Sequence, residues 1–91
     1  MKLKLKKPID YDGKHYDELE YDFDNLTGDD LLTAEAEITM AGVVVPIIDL
    51  SKAYNAAVFA RAANIDYGMM RKLSARDFTK ATQESASFLN V

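Results

Sequence analysis

Ninety-one residues include no cysteine, one histidine, two prolines and four glycines. The missing cysteine excludes disulfides, thiolate metal sites and a cysteine nucleophile, and suits a reducing compartment. A single histidine, His15, leaves a Ser/His/Asp arrangement without a frame, because a general base needs a partner held beside it. His15 is therefore expected to be an exposed or hydrogen-bonded structural residue. No run of about 18 apolar residues occurs, so no membrane-spanning helix is expected. Lys2, Lys4, Lys6 and Lys7 open the chain, but the apolar core of a signal peptide does not follow them. A formal charge of −4 argues against nucleic acid as the main partner, since phosphate binding needs a concentrated basic surface.

What is present reads as an ordinary globular chain of the α+β class. Apolar residues make up 48% and charged residues 29%, outside the disordered range. One domain over residues 1–91 is expected, with a β-hairpin over 1–24 and a helical part over 27–90. The hairpin is antiparallel and packs on three main helices and a short helical turn.

Residues 1–9 alternate, with Leu3 and Leu5 on one face and Lys2, Lys4 and Lys6 on the other. Pro8 lacks an N–H, so the strand ends near it or lies at a sheet edge. Asp12-Gly13 marks the tight turn. Residues 15–24 alternate again, placing Leu19, Tyr21 and Phe23 beside Leu3 and Leu5 on the dry face. Glu18, Glu20, Asp22 and Asp24 face water. Cross-strand pairs of lysine and carboxylate contribute roughly 0.2–1 kcal/mol each, and exposed ones lie near the low end.

Thr27 is expected to cap a first helix over residues 28–41, with Asp30 closing a capping box. Leu31, Ala34, Ile38 and Ala41 form its apolar side, and Gly42 stops it. The run Val43-Val44-Val45-Pro46-Ile47-Ile48 follows. It either crosses the core, as a short strand or buried connector, or forms an apolar surface strip. Asp49 or Ser51 caps a second, alanine-rich helix over 50–63, which Asn64 ends. Asp66 caps a short turn over 67–73 containing Met69 and Met70. These methionines are expected to pack in the core, their alternative role being adaptable contacts for a partner. Ser74 caps a last helix over 75–90, with Asp77 as the second approximate capping box.

Chemical motifs are few. Counted from Asp10, a calcium loop needs glycine where His15 stands and a bidentate acid where Tyr21 stands. The acidic stretch 17–24 is read as a solvated strand face and not a cation site. Thr27-Gly-Asp-Asp lacks the lysine and glycines of a phosphate loop. The residues thus point to no catalytic, cofactor or metal site, and enzyme is the weakest reading.

The order of features is more specific than any one of them. Lys6-Lys-Pro-Ile-Asp-Tyr-Asp-Gly-Lys14, then Tyr16-Asp-Glu-Leu19, then Phe23-Asp-Asn-Leu-Thr-Gly-Asp-Asp-Leu-Leu32 and Ala34-Glu35 resembles the tail assembly chaperones of long-tailed bacteriophages. Leu50-Ser-Lys-Ala-Tyr54, Ala63-Asn-Ile65, Leu73-Ser-Ala-Arg-Asp-Phe78 and Phe88-Leu89 continue the likeness over nearly the whole chain. The resemblance implies a non-enzymatic protein of the bacterial host cytoplasm, made from a phage or prophage and absent from the mature virion. It implies binding to the tape measure protein, which is kept soluble until the tail tube assembles around it. Through a longer, frameshifted form, contact with the major tail tube protein is implied as well. Homo-oligomers suit a chaperone that coats a long helix. The expected partner surface comprises Val43, Val44, Val45, Ile47, Ile48, Met69 and Met70. The competing class is a structural virion component, such as a head–tail connector or tube-associated subunit. A small regulatory, antitoxin-like module is the third.

Overall fold

The computed structural model describes residues 1–42 and 51–90. Its element order is β1 (Lys2–Tyr11), β2 (Lys14–Glu20), a 3₁₀ turn (Phe23–Asn25), α1 (Gly28–Met40), α2 (Lys52–Ala63), α3 (Tyr67–Met70) and α4 (Ala75–Leu89).

β1 and β2 pair antiparallel, joined by Asp12 (φ 51°) and Gly13 (φ 80°). Positive φ at both central positions gives a two-residue turn whose twist matches the strands it joins. Lys2, Leu3 and Lys4 stand opposite Glu20, Leu19 and Glu18, while Ile9, Asp10 and Tyr11 stand opposite Tyr16, His15 and Lys14. Between the two runs β1 carries four residues, Leu5 to Pro8, where β2 carries only Asp17. That excess is a bulge, and it answers the question Pro8 poses. The strand does not end there; it passes through Pro8 by leaving the ladder for a few residues.

The dry face is as the alternation requires: Leu3, Leu5, Leu19, Tyr21 and Phe23 are all buried. β2 is shorter than expected, however. The alternation continues to Asp24, but Asp22 accepts the Asp24 amide through its side chain at 2.9 Å and turns the chain into the 3₁₀ segment. A short acidic side chain that satisfies a local amide competes with strand continuation. Phe23 still reaches the core, from the turn.

α2 is the centre of the molecule. Seven successive residues from Tyr54 to Ala60 are buried, so its middle two turns are enclosed on all sides. α1, α3 and α4 all pack on it. Alanine at 56, 57 and 60 lets neighbours approach closely, while Phe59 fills the space beneath the hairpin. Its ring centroid lies 4.8 Å from Tyr21 and 6.2 Å from Phe23, and Phe23 stacks on Phe88 at 4.9 Å. Such pairs add roughly 0.5–1.5 kcal/mol each beyond the area they bury.

The caps explain the helix boundaries. Thr27 and Asp30 form the reciprocal capping box at α1, and Gly42 takes φ 88° just past its end. Ser51 accepts the Tyr54 amide and starts α2, two residues later than expected; Asp49, the other expected cap, lies outside the described residues. Asn64 ends α2 in left-handed geometry, φ 55° and ψ 46°. Asp66 makes no side-chain cap to α3, contrary to expectation, and α3 closes at Met70. The Asp66 carboxylate instead accepts the Tyr11 hydroxyl at 2.7 Å, tying the hairpin tip to the α2–α3 corner.

Candidate partner interface

Two helices present the surfaces a partner would meet. On α1, Ala34 and Ile38 are buried against α2. Leu32, Ala36 and Met40 repeat every four residues on the opposite side. Leu32 is 65% exposed and Met40 88%, and Ala36 between them is exposed too. α1 is therefore apolar on its inner and outer sides alike, with acids between. It carries Asp29, Asp30, Glu35 and Glu37 and not one lysine or arginine.

Two of these acids are engaged. Arg61, from the exposed edge of α2, donates to Asp30 Oδ1 through Nη2 at 2.7 Å and Nε at 3.0 Å, and its Nη1 lies 3.7 Å from Glu37. The Thr27 amide and then Arg61 hold the Asp30 carboxyl below its ordinary range. Asp29 and Glu35 are exposed and have no ion-pair partner among the described residues.

α4 faces the other way. Its inner side, Asp77, Ala81, Thr82 and Ser85, is buried. Along its outer side an open shelf is lined by Lys6, Arg76, Thr79, Lys80 and Gln83 among others. Its lining is mainly basic, with Glu84 among the cations, and holds no nucleophile–base pair. Among the described residues no group of three or more His, Asp or Glu side chains is placed to hold a metal ion.

Among the described residues Asp77 is the one buried acid, 2% exposed. Its two oxygens accept the backbone amides of Lys6 at 3.0 Å and Lys7 at 3.1 Å, both within the bulge of β1. The Ser74 hydroxyl donates to Oδ2 at 3.0 Å and accepts the Asp77 amide at 3.2 Å. Burial pushes this carboxyl up, but the Lys6 and Lys7 amides and the Ser74 hydroxyl together outweigh it and hold it low. Hydrogen bonds to the ionised form favour that form. The expected capping residue thus has a larger role: it is the clamp between α4 and the hairpin.

His15 sits exposed between two carboxylates, 2.7 Å from Asp10 and 2.9 Å from Asp17. Those hydrogen bonds, Asp10 first, raise its pKa. This is the structural histidine the sequence suggests.

The expected partner residues divide. Met69 and Met70 are 1% and 0% exposed and belong to the core, the role first expected of them. Val43, Val44, Val45, Ile47 and Ile48 lie outside the described residues. Sequence reasoning missed the outer stripe of α1, although its four-residue spacing was visible.

An α+β fold with an apolar stripe on an outer helix suits a protein that works by holding another. A family profile described as "Phage tail assembly chaperone proteins, E, or 41 or 14" matches residues 2–90. The chain belongs to the phage tail assembly chaperones. Comparison with curated proteins and with solved structures gives no match. No helix among the described residues is long and apolar enough to cross a membrane. Membership makes this chaperone an assembly factor whose partners are tail proteins.

Proposed function

We propose that this chaperone binds the tape measure protein and keeps it soluble while the tail is built, without catalysing a reaction. The observation that carries the reading is the apolar stripe Leu32–Ala36–Met40 left uncovered on α1 in a member of this family. A long helical client exposes apolar faces until its tube closes round it, and a soluble domain with spare apolar surface masks them by helix-in-groove contacts. The run Val43, Val44, Val45, Ile47, Ile48 follows α1 directly in sequence and extends the proposed surface. Met69 and Met70 are buried in the core and add no exposed surface to it.

The protein acts in the bacterial host cytoplasm and is left out of the finished virion. Several copies coat one client, and a frameshifted longer form brings in the major tail tube protein. Residues 1–91 act as one folding unit.

Co-expression with the tape measure protein of the same phage tests the reading. Val44→Asp with Ile47→Asp abolishes co-purification and leaves the helical circular dichroism unchanged. Retention of the client by that double variant places binding elsewhere, and detection of the protein in purified particles favours a structural virion component instead.

A further inference from the structure

The outer face of α1 specifies the chemistry of what covers it. Leu32, Ala36 and Met40 form a narrow apolar stripe, and acids border it on both sides. Beyond Thr33 and Thr39, Glu35 lies along one edge and Glu37 along the other, with Asp29 at the amino-terminal end. Glu37 and Asp30 share Arg61, whereas Asp29 and Glu35 have no ion-pair partner among the described residues. Negative charge is also favoured where Asp29 stands, at the positive end of the helix dipole. The stripe is therefore apolar in the middle and anionic at its rim.

We infer that α1 is the docking face for an amphipathic helix whose apolar stripe is flanked by lysine or arginine. This rests on the reading that the protein binds a helical tail protein, and it names the face and the kind of segment within that client. Electrostatic complementarity selects partners and register, and juxtaposed like charges suppress wrong ones.

A second copy of the chain fits this face poorly. A two-fold contact repeats one patch on both subunits, which sets Asp29 and Glu35 against the same acids. The shelf of α4 sets Glu84 among Lys6, Arg76 and Lys80, so its charge is mixed, and no leucine, isoleucine, methionine or aromatic side chain lines it to meet Leu32 and Met40. A basic amphipathic helix supplies both at once.

The test uses two synthetic peptides of about 20 residues, long enough to form helix on binding. Both carry the same leucine stripe, one with lysine flanks and one with glutamate flanks. Titration of the isotope-labelled protein with the lysine peptide shifts the amide resonances of α1 ahead of those of α4, and the glutamate peptide binds at least about tenfold more weakly. Asp29→Lys with Glu35→Lys weakens the lysine peptide about tenfold, with only a modest fall in the thermal midpoint, since both side chains are exposed and the loss is limited to the helix-dipole interaction of Asp29. Leu32→Ser with Met40→Ser does the same.

Equal affinity for the two peptides, or shifts centred on another element of the native chain, overturns the inference. So does a dimer in sedimentation that Leu32→Ser with Met40→Ser dissolves, since the face then belongs to a second copy. Co-expression with the tape measure protein separates the two levels of the argument. If the native chain retains that client and the Asp29→Lys with Glu35→Lys variant retains it equally, the α1 assignment fails and the chaperone reading stands. If the native chain fails to retain the client yet binds the lysine peptide on α1, the face is as inferred and the client is wrong.

Discussion

Lys6 and Asp77 lie 71 positions apart in sequence, yet the amide of the first donates to the carboxylate of the second at 3.0 Å. With the Lys7 amide on the other oxygen, this fastens the bulge of β1 to the first turn of α4. The two amides are free to bond there because the bulge takes them out of the strand ladder. A buried amide without a partner is costly.

Asp77→Ala strips both amides and the Ser74 hydroxyl of their acceptor. We expect a loss of about 2–3 kcal/mol in urea unfolding. Since 1–91 is proposed as one folding unit, fluorescence and circular dichroism give coincident transitions in both proteins. A helical signal that outlasts loss of the hairpin contradicts this.

Acid dependence follows from the same group. The folded pKa of Asp77 is depressed, so its contribution is fully present above the unfolded carboxyl value near 4 and is lost as pH falls through the lower folded value. Stability of the native chain falls in that acid window. Asp77→Asn is less stable at neutral pH and declines less steeply in acid, as urea midpoints measured across the pH range will show.

His15 gives the opposite sign. Its folded pKa is raised, so the contribution is complete below the unfolded value near 6.5 and disappears as pH rises through the higher folded one. Proton NMR titration places the ring above 6.5, and Asp10→Asn brings it back toward that value. The thermal effect is small, because the group is exposed.

Gly68 meets the hairpin tip. A Cβ there would stand 2.9 Å from the Tyr11 hydroxyl and 3.3 Å from an Asp66 oxygen, the two partners of the tie at that corner. Alanine raises helix propensity but displaces this hydrogen bond. Gly68→Ala is thus expected to raise the thermal midpoint more in a Tyr11→Phe background than in the native one. Equal effects in both, read as a double-mutant cycle, contradict the contact.

Arg61 is the only basic side chain on α1's acids among the described ion pairs. Arg61→Ala should speed amide exchange in α1 while leaving α4 protected, since α1 packs chiefly on α2 whereas α4 packs on both α2 and β1. Uniform acceleration across all helices argues that Arg61 supports the whole fold.

Local rules made most of this architecture readable. The alternation of Leu3, Leu5, Leu19, Tyr21 and Phe23 identifies the dry face because strand period and burial are tied. Thr27, Ser51, Asn64 and Ser74 mark helix ends because capping is satisfied within a few residues. Contacts distant in sequence left no such mark. Nothing near Asp77 announces that it serves Lys6 and Lys7, and nothing near Asp66 announces Tyr11. Asp22 ended β2 early because its alternation and its capping ability point to different structures. The outer stripe of α1 was legible as spacing, but only the packing of Ala34 and Ile38 inward shows that Leu32 and Met40 are left outside.

If the protein keeps a tape measure protein in solution, as we propose, that client's solubility depends on it. The direct measurement is the soluble fraction of that client, made in bacteria with and without this chain at matched expression. The client is expected to pellet alone and to move largely to the supernatant, bound to the chaperone, when both are made. A client equally soluble in either case, or equally insoluble, contradicts it.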